Sequence, residues 1–285
     1  MTTNLNALAD EAGCLTMLAL DHRESLRIML SANGTRASEA DVLAFKRTAI
    51  RELAPVASAV LLDKAAALDA PTRALVPAGK AVVLAVDAFD QPAGSPVLAS
   101  RLDDTVDVDT IRRAGAAAVK LLVLWRPDTG ADERADDVSR FVDLARRAGV
   151  AALVEGIVRV DGDREEAVLA AAAELCSFQP DVYKAEIPGY VEGDLSRVRA
   201  ASARLTDVAR RPWVVLSNGV RTADFIPGLR EACAGGALGF MAGRAVFRDV
   251  AGSADPAAGL RTVSAPRLRH MVEVTHQTRL TARPC

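Results

Sequence analysis

Lysine is almost never buried unless it is paired, yet this sequence places two lysines inside apolar runs. In Asp181-Val182-Tyr183-Lys184-Ala185-Glu186-Ile187-Pro188, strand alternation puts Val182, Lys184 and Glu186 on one face. Tyr183, Ala185 and Ile187 take the other. Lys120, Leu122 and Leu124 share a face in the same way within the run 117–124. An ammonium in such surroundings costs on the order of 3 to 5 kcal/mol unless it is paired or loses its proton. A lysine pressed toward neutrality is the nucleophile that imine chemistry with a carbonyl needs. With both lysines pointing inward, each is expected to depress the pKa of the other. Glu155 closes a third run and can pair with one lysine while moving protons for the other. A buried structural Lys–Glu–Lys network is the alternative that these residues leave open.

A second group of residues suits an anion. Ser217-Asn218-Gly219 and Gly243-Arg244 each follow an apolar run late in the chain. Glycine permits close backbone approach, and an arginine supplies a bidentate donor. Asp21-His22-Arg23 follows the first run, where Arg23 could hold a second anionic group and His22 would stand near it. Asp21 is grouped with the catalytic candidates, and Asp63 and Glu186 with substrate binding. These residues could equally cap the following helices. His270 and His276 lie six residues apart and are expected on the surface, with no shared metal site.

The elements that must position these groups follow from periodicity. Apolar runs at 15–20, 59–62, 81–86, 117–124, 150–154, 182–187, 213–216 and 238–242 suit parallel strands buried on both faces. Amphipathic stretches separate them, with Asp132, Asp163 and Asp194 placed as N-caps and Gly149, Gly235 and Gly236 at the opposite ends. Eight strands alternating with helices in 285 residues predict a single (β/α)8 TIM barrel spanning 1–285. A doubly wound open sheet is the runner-up, but no GxGxxG loop follows the first strand. In a barrel the strand ends carry the site: Asp21, Asp63, Asp87, Lys120, Glu155, Lys184, Ser217 and Gly243. The loops after the last two strands are where barrels often hold a phosphate.

Composition narrows the function. A net charge of −2 offers no general attraction to nucleic acid or acidic membrane. No apolar run approaches the roughly 20 residues of a membrane span. Residues 1–12 lack the pattern of a signal peptide, and Cys14, Cys176, Cys233 and Cys285 are scattered without a CxxC pair. A cytoplasmic protein with reduced thiols, no cofactor and no metal is expected.

Six segments together resemble a known family: MLALDHRESLRIM at 17–29, VKLLVLWRPD at 119–128, LVEGIVR at 153–159, DVYKAEIPGY at 181–190, VVLSNGV at 214–220 and GFMAGRAVF at 239–247. They are similar to the class I aldolases acting on tagatose 1,6-bisphosphate and on 6-deoxy-6-sulfofructose 1-phosphate, and 119–128 resembles the sulfofructose-phosphate branch more. The resemblance implies that Lys184 forms the Schiff base and that Lys120 and Glu155 assist proton transfer. It also implies that Ser217, Gly219, Gly243 and Arg244 bind the phosphate leaving as dihydroxyacetone phosphate, with sulfolactaldehyde as the other product. His22 stands where members of the family usually carry Gln. Gly156 stands where the sulfosugar branch tends to have Pro, and Asn218 replaces a small residue. The expected substrate is therefore a phosphorylated sugar. Two other classes fit the residues alone: an isomerase or epimerase using Glu155 as base, and a non-catalytic sugar-phosphate-binding barrel. The stretch 265–280 is a candidate contact for a homo-oligomer.

Overall fold

The computed structural model describes residues 5–31 and 34–282, so Cys285 and the first four residues lie outside it. Its strands are β1 (Leu15–Leu20), β2 (Ala59–Leu62), β3 (Ala81–Ala85), β4 (Asp87–Asp90), β5 (Ala99–Leu102), β6 (Ala116–Trp125), β7 (Ala151–Val158), β8 (Val182–Ala185), β9 (Trp213–Val215) and β10 (Gly239–Ala242). Eight of them close a barrel in the order β1-β10-β9-β8-β7-β6-β3-β2, every adjacent pair parallel. The expected fold class is the observed one. The apolar runs suit this arrangement because each strand is covered by side chains inside and helices outside.

Strand alternation divides each run between two cores. Met17, Ala19, Leu61, Val83, Ala85, Ala118, Leu153, Val182, Val214 and Met241 fill the lower barrel. Their neighbours, Tyr183 and Val154 among them, pack outward against the helices. Above the apolar layers the inward positions become charged, and above those Leu124, Ile157 and Leu216 form a small apolar cluster with Val97 and Leu122. Tyr183 also accounts for Gly156: a Cβ there would sit 2.2 Å from the tyrosine Oη.

Strands β4 and β5 form an antiparallel hairpin inserted after β3, which periodicity did not predict. The helix Glu39–Leu53 starts on a capping box between Ser38 and Asp41, and Arg164–Ser177 starts on Asp163 as expected. Asp132 and Asp194 do not cap. Gly130, left-handed at φ 69°, admits the chain to Ala131–Ala148 two residues earlier, which leaves Asp132 in the first turn. Asp194 accepts instead from the Ser196 amide, and Val198–Ala209 has Arg197 at its N-cap.

The C-terminal helix Ala265–Ala282 packs on Thr222–Ala234 and buries Leu268, Met271 and Val274. His270 is exposed, and His276 is half-buried with its ring meeting Asp10 Oδ2 at 2.8 Å. No disulfide joins Cys14, Cys176 and Cys233. Among the described residues no helix is long and apolar enough to cross a membrane.

Candidate active site

Sheet register builds the charged layer. Glu155 on β7 lies directly beside Lys184 on β8 and beside Leu122 on β6. Residues level in adjacent parallel strands point to the same side, so Lys184 Nζ comes within 2.8 Å of Glu155 Oε2. Lys120 sits one layer lower, level with Ala85 on β3. Its side chain rises to reach Asp21 Oδ2 at 2.7 Å, Asp87 Oδ2 at 2.7 Å and Glu155 Oε2 at 3.2 Å.

These contacts correct the expectation that the second lysine depresses the pKa of Lys120. Burial opposes a charge on Lys120, but Asp21, Asp87 and Glu155 outweigh burial and hold its pKa well above the ordinary lysine value. Burial also pushes Asp21 up, and Lys120 and Lys184 overcome that to hold it well below the usual carboxylate range. Glu155 follows the same balance, lowered by Lys184 and then Lys120 against its burial. Asp21 and Glu155 are therefore held as carboxylates, with Lys120 a cation beneath them.

A cavity of about 190 Å³ opens above this layer. Lys184, Glu155, Asp21, His22, Ser217, Asn218, Gly243 and Arg244 are on its wall; Lys120, fully buried, is not. Only the Lys184 amine can meet a ligand there. The hairpin β4–β5 and its turn close one side with Phe89, Gln91, Pro96 and Val97. None of these was identifiable from periodicity, because they belong to an insertion.

His22 is neutral: burial pushes its pKa down to about 3, against the pull of Asp21. Its Nδ1 is buried without a hydrogen bond and stands 4.0 Å from Asp21 Oδ1. The ring packs edge-on against Phe247, centroids 5.8 Å apart. Gly243 makes room for it, since a Cβ there would lie 2.5 Å from His22 Cε1 and 2.4 Å from the Ala19 carbonyl oxygen. Close packing of β1 on β10 and of the His22 ring thus demands this glycine.

Arg23 lines the cavity but already donates from Nη2 to Asp87 Oδ1 at 2.8 Å and to the Asp87 carbonyl at 2.9 Å, with Phe89 stacked at 4.6 Å. Asp63 departs from its expected role. Lys46, on the inner side of the helix Glu39–Leu53, forms a buried ion pair with it, and Asp63 is absent from the cavity wall. Glu186 is also withdrawn, its oxygens accepting from Val158 N at 3.0 Å, Arg164 Nη2 at 2.6 Å and Asn218 Nδ2 at 2.9 Å. Asn218 Oδ1 in turn accepts from Arg244 Nη2 at 2.6 Å. Glu186 therefore orients Asn218, and Asn218 orients Arg244.

Arg244 keeps a buried Nε without a partner. Burial lowers its pKa, with Glu155 opposing, which marks a cation short of an anion. Ser217 and Arg244 also face a second cavity of about 250 Å³ with Gly219, Arg221, Thr222 and Arg248. Gly219 is left-handed at φ 73°, which turns the loop toward that space. Arg248 was missed, although an arginine pair at i and i+4 was its signal. The sole grouping of metal-ligand types among the described residues joins Asp10 and Cys14, just before β1, to His276 of the C-terminal helix, and none of the three lines these cavities.

Residues 15–249 match the model of the DeoC/LacD family aldolase. Tagatose 1,6-diphosphate aldolase of Listeria monocytogenes is 28% identical over 258 residues, covering 78% of this chain and 73% of that protein. Tagatose 1,6-diphosphate aldolase 2 of Enterococcus faecalis is 26% identical over 283 residues, covering 86% and 82%. In fold, the chain is similar to fructose-bisphosphate aldolase from Plasmodium falciparum at TM-score 0.73 and 16% identity, covering 95% of this chain and 92% of that one. An archaeal fructose-1,6-bisphosphate aldolase, solved with its catalytic Lys bound to a carbinolamine intermediate, gives 0.66 at 16% identity, with 95% and 98% covered.

Proposed function

The chain belongs to the DeoC/LacD family of aldolases, and we propose that it cleaves a ketose 1-phosphate through a Schiff base on Lys184. The observation that carries this reading is the reach of the amines. Lys184 Nζ faces the cavity with a carboxylate at 2.8 Å, while Lys120 is sealed below it. Lys184 attacks the ketose C2 carbonyl, and the carbonyl oxygen leaves as water to give an iminium. Glu155 is placed to relay the attacking amine's protons to that departing oxygen and, a carboxylate again, to take the C4 hydroxyl proton as the C3–C4 bond breaks. The bonding pair passes to the enamine on Lys184, and protonation and hydrolysis release dihydroxyacetone phosphate. Lys120 stays charged and holds Glu155 and Asp21 ionised. Arg244, with the loop of Ser217 and Gly219, receives the C1 phosphate, so binding energy sets C2 against the amine.

The whole chain, 1–285, serves as one aldolase domain in this reading. The relatives' names put tagatose 1,6-bisphosphate first among substrates to try. The segment 119–128 keeps 6-deoxy-6-sulfofructose 1-phosphate, which would yield sulfolactaldehyde, as the second. Phosphorylated sugars are held inside the cell, which supports a cytoplasmic location in this reading.

The test is borohydride trapping with dihydroxyacetone phosphate, then intact mass and peptide mapping. An adduct on the peptide bearing Lys184, absent in Lys184→Ala, is expected. Binding of dihydroxyacetone phosphate without any adduct would overturn the mechanism.

A further inference from the structure

The cavity has two ends of different chemistry. Near Lys184 it is ionic; farther out its wall is the apolar cluster of Leu122, Leu124, Ile157, Leu216 and Val97. Beyond that cluster stands Arg159, on the cavity wall and half-buried. It follows β7, its amide donating to the Trp125 carbonyl at 2.9 Å, and shares the inward parity of Glu155 and Ile157. In the ring of strands β7 is opposite β1, the strand that leads to Arg23.

Two other arginines of this rim are paired with acids, Arg23 with Asp87 and Arg164 with Glu186, while Arg244, held by Asn218, is the one assigned to the C1 phosphate. Arg159 makes one guanidinium hydrogen bond, from Nη1 to the neighbouring Val158 carbonyl at 3.3 Å, and among the described residues no ion pair. The nearby acid is Glu186, whose oxygens are spent on Arg164, Asn218 and the Val158 amide. Burial lowers the Arg159 pKa, Glu186 opposes, and Arg164 and Arg126 add to the lowering. A half-buried guanidinium with most donors idle beside two further cations is a site short of an anion.

We propose that Arg159 is the specificity-determining residue of this cavity and receives an anionic group, phosphate or sulfonate, at the end of the ketose away from C1. This rests on the aldolase reading, in which C1 phosphate and reacting carbon are held by Arg244 and Lys184. The apolar wall between explains why the distal end is chosen by charge, since it offers the middle of the substrate no competing hydrogen bond. Arg159 acts on selection among substrates, and Lys184 and Glu155 on the reaction itself.

The experiment compares kcat/KM for fructose 1-phosphate, tagatose 1,6-bisphosphate, fructose 1,6-bisphosphate and 6-deoxy-6-sulfofructose 1-phosphate in wild type, Arg159→Gln, Arg159→Lys and Arg23→Gln. Arg159→Gln is expected to lose about 10- to 100-fold on substrates anionic at both ends, mainly through KM, and to leave fructose 1-phosphate unchanged. Arg159→Lys recovers part of the loss. A loss confined to the bisphosphates names phosphate as the anion, and one confined to the sulfosugar names sulfonate. The same ligands are titrated by calorimetry onto Lys184→Ala, with and without Arg159→Gln, so the result stands apart from turnover. An unchanged preference for the distal anion in Arg159→Gln overturns the proposal, as does its loss in Arg23→Gln alone or its absence in wild type. Failure of the aldolase reading shows separately, as wild type that binds the phosphates without forming an adduct.

Discussion

Replacing Lys120 by Met removes a fully buried charge while keeping most of the side chain's bulk. Before the change, Asp21, Asp87 and Glu155 are balanced by Lys120, Lys184 and Arg23. Afterwards one carboxylate has no counter-ion. Each 2.7 Å contact to Lys120 is worth about 6 kcal/mol at an effective dielectric of about 20, so the variant cannot keep all three acids ionised. The cheapest response is for one of them to hold a proton. Protonating a carboxylate of ordinary pKa near 4 costs about 4 kcal/mol at pH 7 and about 1.4 kcal/mol at pH 5. The sign follows from proton counts. Above about pH 4 the folded variant binds a proton that its unfolded chain releases, so stability falls as pH rises. Wild-type Asp21 and Glu155 have folded pKa values below the ordinary range, so their contribution is still complete at pH 5. Lys120, raised, contributes fully anywhere below the ordinary lysine pKa. Urea unfolding of both proteins at pH 7 and pH 5 should therefore show a penalty larger at pH 7 by about 2.7 kcal/mol. A penalty equal at the two pH values would refute the three-carboxylate clamp as an ionised unit.

Other perturbations probe the rest of the site. His22, pushed down to about 3 by burial, is neutral when folded and takes a proton when unfolded below the ordinary histidine value, so wild-type stability declines with acid from about pH 6.5. His22→Gln should flatten that decline by about 2 kcal/mol between pH 6.5 and 5, and parallel curves would contradict it. Gly156→Ala, whose Cβ would lie 2.2 Å from Tyr183 Oη, should cost about 1–3 kcal/mol, with part regained in combination with Tyr183→Phe. An additive double-mutant cycle would remove the tyrosine as the cause. Glu155→Gln should lower kcat for cleavage about 10²- to 10⁴-fold, and near-normal kcat would take away its role as base.

Much of the fold and part of the site were legible in the sequence because they depend on local spacing. Apolar runs between amphipathic stretches mark buried parallel strands, and alternation along one strand is enough to turn Lys184, Lys120 and Glu155 inward. The loops of Ser217–Gly219 and Gly243–Arg244 follow from strand order in the same way. Parity gives direction, however, and neither height nor partner. That Lys120 is sealed beneath three carboxylates while Lys184 meets the cavity depends on register between β1, β3, β6, β7 and β8 and on how far a lysine can climb. Asp63 had the same parity as the site residues, and a lysine on a helix took it out of use. Glu186 was withdrawn by Arg164 and Asn218, and the hairpin after β3 brought Phe89 and Val97 over the cavity. Side-chain periodicity is a property of one segment and was written in the sequence. Charge pairing and cavity access arise between segments far apart in the chain, and only the closed barrel could set which groups meet.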